Sequence, residues 1–257
     1  MHLDTTIIHQ YLHDLPLADA PLYEYVKNKS IPDPKRKDVV VELHQRLCHM
    51  VEYFPLFNHD VFHQLFTNFN TLSNSITLVL CVGEANSYTY KYQFDDQLYI
   101  FIDLLLVANF TRYLDEMEYI LNNDITKQIA LHCIEAQHPL TSHNYSTLLN
   151  HFIYRDGLAN WLAWNHDIKE YKFQSDNYEE QKAKSFGMLA HAYELEDPRQ
   201  QQMILLHLMQ ASFWDKFTSI AGMFYIDDCY HTQGIDGVLS LYQQGDERFI
   251  DRIFQTI

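Results

Sequence analysis

The chain has 257 residues, 47% of them hydrophobic and 14% aromatic, with 18 Lys and Arg against 34 Asp and Glu for a formal charge of −16. This composition excludes a disordered tail, and the acidity argues against nucleic acid or an anionic membrane surface as the main partner, since both demand a basic face. The length is enough to bury a sizeable core in one domain or two unequal lobes, and only seven Gly and seven Pro favour long helices over many short strands.

Residues 4–26 carry Ile7, Ile8, Tyr11, Leu12 and Leu15 at helical spacing before Pro16 and Pro21 interrupt it. The stretch 27–37 is polar and holds five of the 18 basic residues. No aromatic residues interleave with them, so a solvated loop or linker is expected rather than a basic docking patch. Val39–Phe54 places Val40, Leu43, Leu47, Met50 and Phe54 on one stripe, and Asn58–Asn70 continues with a second helical pattern.

The period then changes. Ile76–Val82 is a β-branched apolar run ended by Gly83, Tyr88–Phe94 alternates, and Leu98–Asp103 is apolar again. Three strands are expected, the second and third joined by an Asp95-Asp96 hairpin turn. Helices follow at Leu105–Leu121, from Ile125, from Tyr145, and at Tyr178–Tyr193, Arg199–Trp214, Phe217–Tyr230, Ile235–Tyr242 and Glu247–Phe254, with Asp246 a candidate N-cap for the last. The fold class is α+β, mostly helical, with a small sheet of about three strands. Three regions are expected within one continuous domain: a helical 1–75, a strand-containing 76–124 with its linking helix, and a helical 125–257.

The four cysteines, Cys48, Cys81, Cys133 and Cys229, form no CxxC pair and are expected as free thiols in a reducing compartment. Residues 1–15 lack a basic start and a long apolar run, and no stretch approaches the ~18 apolar residues that span a bilayer. A cytoplasmic location is the expectation.

The chemistry concentrates in Ile125–Trp164. There His132-Cys133-Ile134-Glu135-Ala136 is followed by Arg155-Asp156-Gly157-Leu158-Ala159. This pairing resembles the gluzincin branch of zincin-like metallopeptidases, the small bacterial type in particular. In that family a helix bears HExxH, two His ligands one turn apart with a Glu base, and the next helix opens on an acidic third ligand followed by Gly-Leu-Ala. The resemblance implies a sheet packed beside a pair of active-site helices. It places His132 at the first zinc ligand and Asp156 at the third. Cys133 stands where the base should be and Ala136 where the second His should be. Glu135 lies three residues past His132 on the same helix face, so a catalytic role would fall to it.

Other combinations are weaker. His138 lies about 600° around the helix from His132, and adjacent His132 and Cys133 point about 100° apart, which argues against a Cys-His nucleophile. Tyr154, Trp161 and Trp164, with Phe152, either line a partner-binding cleft or fill the core. Asp227 and His231, four apart, are either a metal pair or an exposed polar face.

The leading expectation is a gluzincin-related protein with a degraded zinc site, binding a peptide or protein partner and no cofactor. One alternative is a divergent zinc hydrolase using His132, Glu135 and Asp156; another is a helical scaffold unrelated to zincins. Two geometric expectations accompany the resemblance. Asp156 should face His132, with Gly157-Leu158-Ala159 packed on the His132 helix, and Tyr99–Asp103 should form a sheet edge beside that helix.

Overall fold

A computed structural model describes residues 1–53, 56–95, 97–164, 176–210 and 215–256. Its elements in chain order are β1 (His2–Asp4), α1 (Thr6–Leu12), α2 (Lys37–Tyr53), α3 (His59–Leu65) and α4 (Phe69–Leu72). Then come β2 (Ile76–Cys81), β3 (Thr89–Phe94), β4 (Gln97–Asp103), α5 (Leu104–Val107) and α6 (Leu114–Gln137). The chain continues with α7 (Tyr145–Trp164), α8 (Asp176–Tyr193), α9 (Pro198–Gln210), α10 (Phe217–Gln244) and α11 (Phe249–Phe254). The fold is α+β and mostly helical. Two compact units share it: residues 1–56 with 67–128, and residues 57–66 with 129–257. The expected helix-end residues Phe54 and Trp214, and the turn residue Asp96, lie outside the described residues.

The first unit is built on a sheet in the order β1-β2-β4-β3, parallel except for the antiparallel β3–β4 pair. β2 buries Ile76, Leu78, Val79, Leu80 and Cys81, so both its faces are covered, which is why it reads as a continuous apolar run. β3 buries only Tyr90 and lies at an edge, hence its alternation. Phe94 pairs with Gln97, and Asp95 takes φ +50°, the left-handed conformation a two-residue hairpin requires.

Two expectations change here. The sheet has four strands rather than three, because the short β1 joins β2 in parallel. Tyr99–Asp103 lies within β4, which has a partner strand on each side, so the edges are β1 and β3 instead.

The polar stretch 27–37 is fastened down rather than free. Ser30 N–H donates to the Gly83 carbonyl at 2.6 Å, and the Arg36 guanidinium donates to Asn109 Oδ1 at 2.6 Å and to the Ala108 carbonyl at 3.1 Å. At the C-terminal ends of β2 and β4, Glu84 and Asp103 are both buried. Asp103 accepts from the backbone N–H groups of Glu84 at 2.8 Å and Leu106 at 2.9 Å, while Glu84 accepts from Asn28 Nδ2 at 2.9 Å and Asn86 N at 2.6 Å. Each buried carboxylate therefore has donors that offset its desolvation.

The helix expected at Leu105–Leu121 and the one expected from Ile125 are divided differently: α5 ends at Val107, and α6 then runs unbroken from Leu114 through Ile125 to Gln137. Asn122-Asn123-Asp124 reads as a break because these side chains favour turns. Here Thr126 Oγ1 donates to Asn122 Oδ1 at 3.3 Å and Thr89 Oγ1 donates to Asp124 Oδ2 at 2.9 Å, so side-chain partners are met without interrupting the helix.

The second unit holds α3, residues 129–137 of α6, and α7 to α11. α7 is buried almost all round and packs most extensively on α10. At the crossing, a Cβ added to Gly157 would lie 2.7 Å from Gly222 Cα and 3.0 Å from Met223 N, so the helices meet backbone to backbone. The expectation that the Gly157 face packs on the His132 helix is thus corrected, the close approach being to α10. Gly234 (φ 66°, ψ −160°) kinks α10, which explains why the sequence reads there as two helices. α11 is preceded by Arg248 at φ 55° with no side-chain cap. Asp246 is not its N-cap, because its carboxylate is taken by His151 Nδ1 at 2.6 Å.

Candidate functional site

The signature residues lie on α6 and α7 within the second unit. His132 is 9% exposed and Cys133 1% exposed, while Glu135 is half-buried and Ala136 is exposed. The helix therefore turns its Cys133 side to the core and its Glu135-Ala136 side towards solvent. Burial pushes the Cys133 thiol up to about 12, which leaves it protonated at neutral pH and removes the nucleophile reading.

Arg155 organises what remains. Its Nε–H donates to Asp156 Oδ1 at 2.8 Å, one Nη lies in ion-pair contact with the same oxygen at 2.7 Å, and the other Nη donates to Glu135 Oε1 at 3.2 Å. The guanidinium also lies 5.1 Å from the Phe152 ring centroid. All three charged side chains are partly buried, which strengthens the pairing relative to a solvated one. Sequence reasoning included Arg155 only as the residue before Asp156. The available signal was a fixed cation next to a presumed ligand, and a spatially neighbouring Glu135 that no spacing rule reveals.

These residues fit a zinc ion poorly. Ala136 offers no donor atom, and both carboxylates already answer a cation that cannot lose its proton. Among the described residues no group of three or more His, Cys, Asp or Glu side chains is gathered to hold a metal.

The aromatic candidates separate. Tyr154 and Trp161 are each 1% exposed, and their polar atoms are spent internally: Tyr154 OH donates to the Tyr242 carbonyl at 3.3 Å and Trp161 Nε1–H to Asp227 Oδ1 at 3.1 Å. Both are core residues, so the core reading holds for them and the partner-binding one does not. Trp164 is half-buried, edge-on to Tyr178 at 6.2 Å between ring centroids.

Asp227 and His231 are only in part an exposed polar face, His231 being exposed and Asp227 not. Asp227 is buried, and His231 Nε2 lies 3.5 Å from its Oδ2. Burial pushes the Asp227 carboxyl up to about 6, although the Trp161 hydrogen bond and His231 pull it back. His151, which the sequence left unassigned, is buried against Asp246. Its neighbour Asn150 accepts from Ile250 N–H at 2.9 Å, so two adjacent α7 side chains hold the start of α11.

Among the described residues, no helix is long and apolar enough to cross a membrane. Comparison of the chain with protein-family models, curated proteins and solved structures gives no significant match.

Proposed function

We propose that the chain is a non-catalytic relative of the zincin metallopeptidases that works by binding a peptide or protein partner. The observation that carries this reading is the Arg155 bridge. A peptidase of this type needs carboxylates directed at a dication and a water molecule, whereas Glu135 and Asp156 are directed at a guanidinium within 3.2 Å. Such a bridge fastens the end of α6 to α7, a structural task in place of a catalytic one.

Zinc content of the untagged protein and of designed variants tests the reading. Restoring the base through Cys133→Glu would bury a carboxylate in the core, so the restoration is made at exposed Ala136. The unmodified protein should carry no stoichiometric zinc. Ala136→His combined with Arg155→Met should gain zinc and lose it again on His132→Ala. Tight zinc binding by the unmodified chain, abolished by His132→Ala, would establish the divergent hydrolase instead. A folded double variant that still ignores zinc would sink the zincin relationship and leave an unrelated helical scaffold.

A further inference from the structure

α8 and α10 enclose a groove of about 730 Å³ whose walls include Glu179, Lys182 and Phe186 on one side and Tyr225, Asp228 and His231 on the other. Its volume is that of a small-ligand site. The polar groups in its walls say what kind of ligand. Glu179 is exposed and, among the described residues, has no ion-pair partner, while Asp228 is about half exposed and within reach of solvent. Asp227 stands buried on the same helix turn.

Lys182, in the walls, already shows how a cation is held. Its ammonium lies 2.6 Å from Asp228 Oδ2 and 6.0 Å from the ring centroids of both Phe186 and Phe224, a carboxylate-and-aromatic cradle suited to an ammonium or guanidinium. The kink at Gly234 follows directly on Thr232 and Gln233, which also line the groove. It ends the first half of α10 there and turns the negative end of its helix dipole to this place. With Lys182 paired to Asp228, Glu179 leaves the acidic side chains of the walls in excess, so an anion would meet net negative charge, and a purely apolar ligand would strip water from Glu179 without compensation.

We propose that the α8–α10 groove binds an organic cation of the size of a lysine or arginine side chain, seated against Asp228 and Glu179 between the aromatic walls. This names the chemistry of the partner in the binding reading above, but it does not depend on descent from a peptidase. The zinc experiment and the one below therefore fail separately.

The test is calorimetric titration of the full chain with two probes, free agmatine and the capped peptide acetyl-Gly-Arg-Gly-amide. Saturable one-to-one binding is expected. Asp228→Asn should weaken it about tenfold, the scale of one charge-assisted contact. Lys182→Met should tighten it, because it removes the resident competitor for Asp228. Asp115→Asn, an exposed acid elsewhere on the chain, should change nothing. Tighter binding of the peptide than of agmatine supports a peptide source for the cation, and the reverse ranking supports a free amine. The proposal is overturned by absence of saturable binding in both the parent and Lys182→Met, or by equal losses in Asp228→Asn and Asp115→Asn, which would mark diffuse attraction to an acidic surface. Should Asp228→Asn fail to fold, Lys182→Met decides alone: tightening supports the site and weakening removes it.

Discussion

Gly157 and Gly222 face each other across the α7–α10 crossing so closely that a methyl group on either would enter the backbone of the other helix. Gly222→Ala should therefore destabilise the protein by about 1–3 kcal/mol, the usual range for overpacking a tight interior contact. Gly187→Ala is the control. It lies within α8 with nothing inside 4 Å of the added carbon, so it should stabilise by about 0.5–1 kcal/mol through helix propensity and a less flexible unfolded chain. Urea unfolding of both variants checks the pair, and equal effects would mean that the crossing is not tight.

The Arg155 bridge makes a second expectation. Arg155→Met keeps the stem but leaves Glu135 and Asp156 without their shared cation, and should lower stability by about 1–3 kcal/mol at neutral pH, the scale for hydrogen bonds to charged groups. Adding Glu135→Gln to that variant should recover part of the loss, and a double-mutant cycle measures the coupling. Strictly additive effects would show that the Arg155–Glu135 pair contributes nothing.

Asp227 contributes a pH dependence of defined sign. The folded chain keeps its proton up to about 6, whereas the unfolded chain releases it near roughly 4. In that interval the native state binds more protons, so this residue's contribution to stability is greatest below the window and falls as pH rises through it. Asp227→Asn, which still offers Trp161 an acceptor, should flatten that fall. Unfolding midpoints at both ends of the window, compared between parent and variant, decide it; parallel curves would place the Asp227 carboxyl at its ordinary value.

Thiol reactivity reports the burial pattern directly. Cys81 and Cys133 are buried in the interior, Cys229 is buried at the wall of the α8–α10 groove and Cys48 is half-exposed, so brief alkylation of the native protein should mark Cys48 first, with Cys81 and Cys133 reacting only on unfolding. Peptide mass spectrometry locates the label. Fast labelling of Cys133 would contradict both its burial and the raised thiol pKa.

What the sequence determined by itself was set by local physics. Apolar spacing placed α2, α7 and α8, the alternation of Thr89–Phe94 marked a half-exposed strand, and the Asp95 turn closed the hairpin, because side-chain periodicity and backbone preference act over a few residues at a time. Which surfaces meet was decided only in three dimensions. Three residues at His2–Asp4 are too few to show a period, and they become a strand through pairing with β2. Asn122-Asn123-Asp124 stays helical because partners at Thr126 and Thr89 satisfy two of its side chains. Tyr154 and Trp161 carry the same amphipathic chemistry in a cleft or in a core, and packing around α7 assigns them to the core. The candidate site followed the same rule: the spacing of His132, Glu135 and Asp156 was legible along the chain, but the direction of the Arg155 guanidinium was not, since an ion pair depends on distances between residues 20 positions apart rather than on their order.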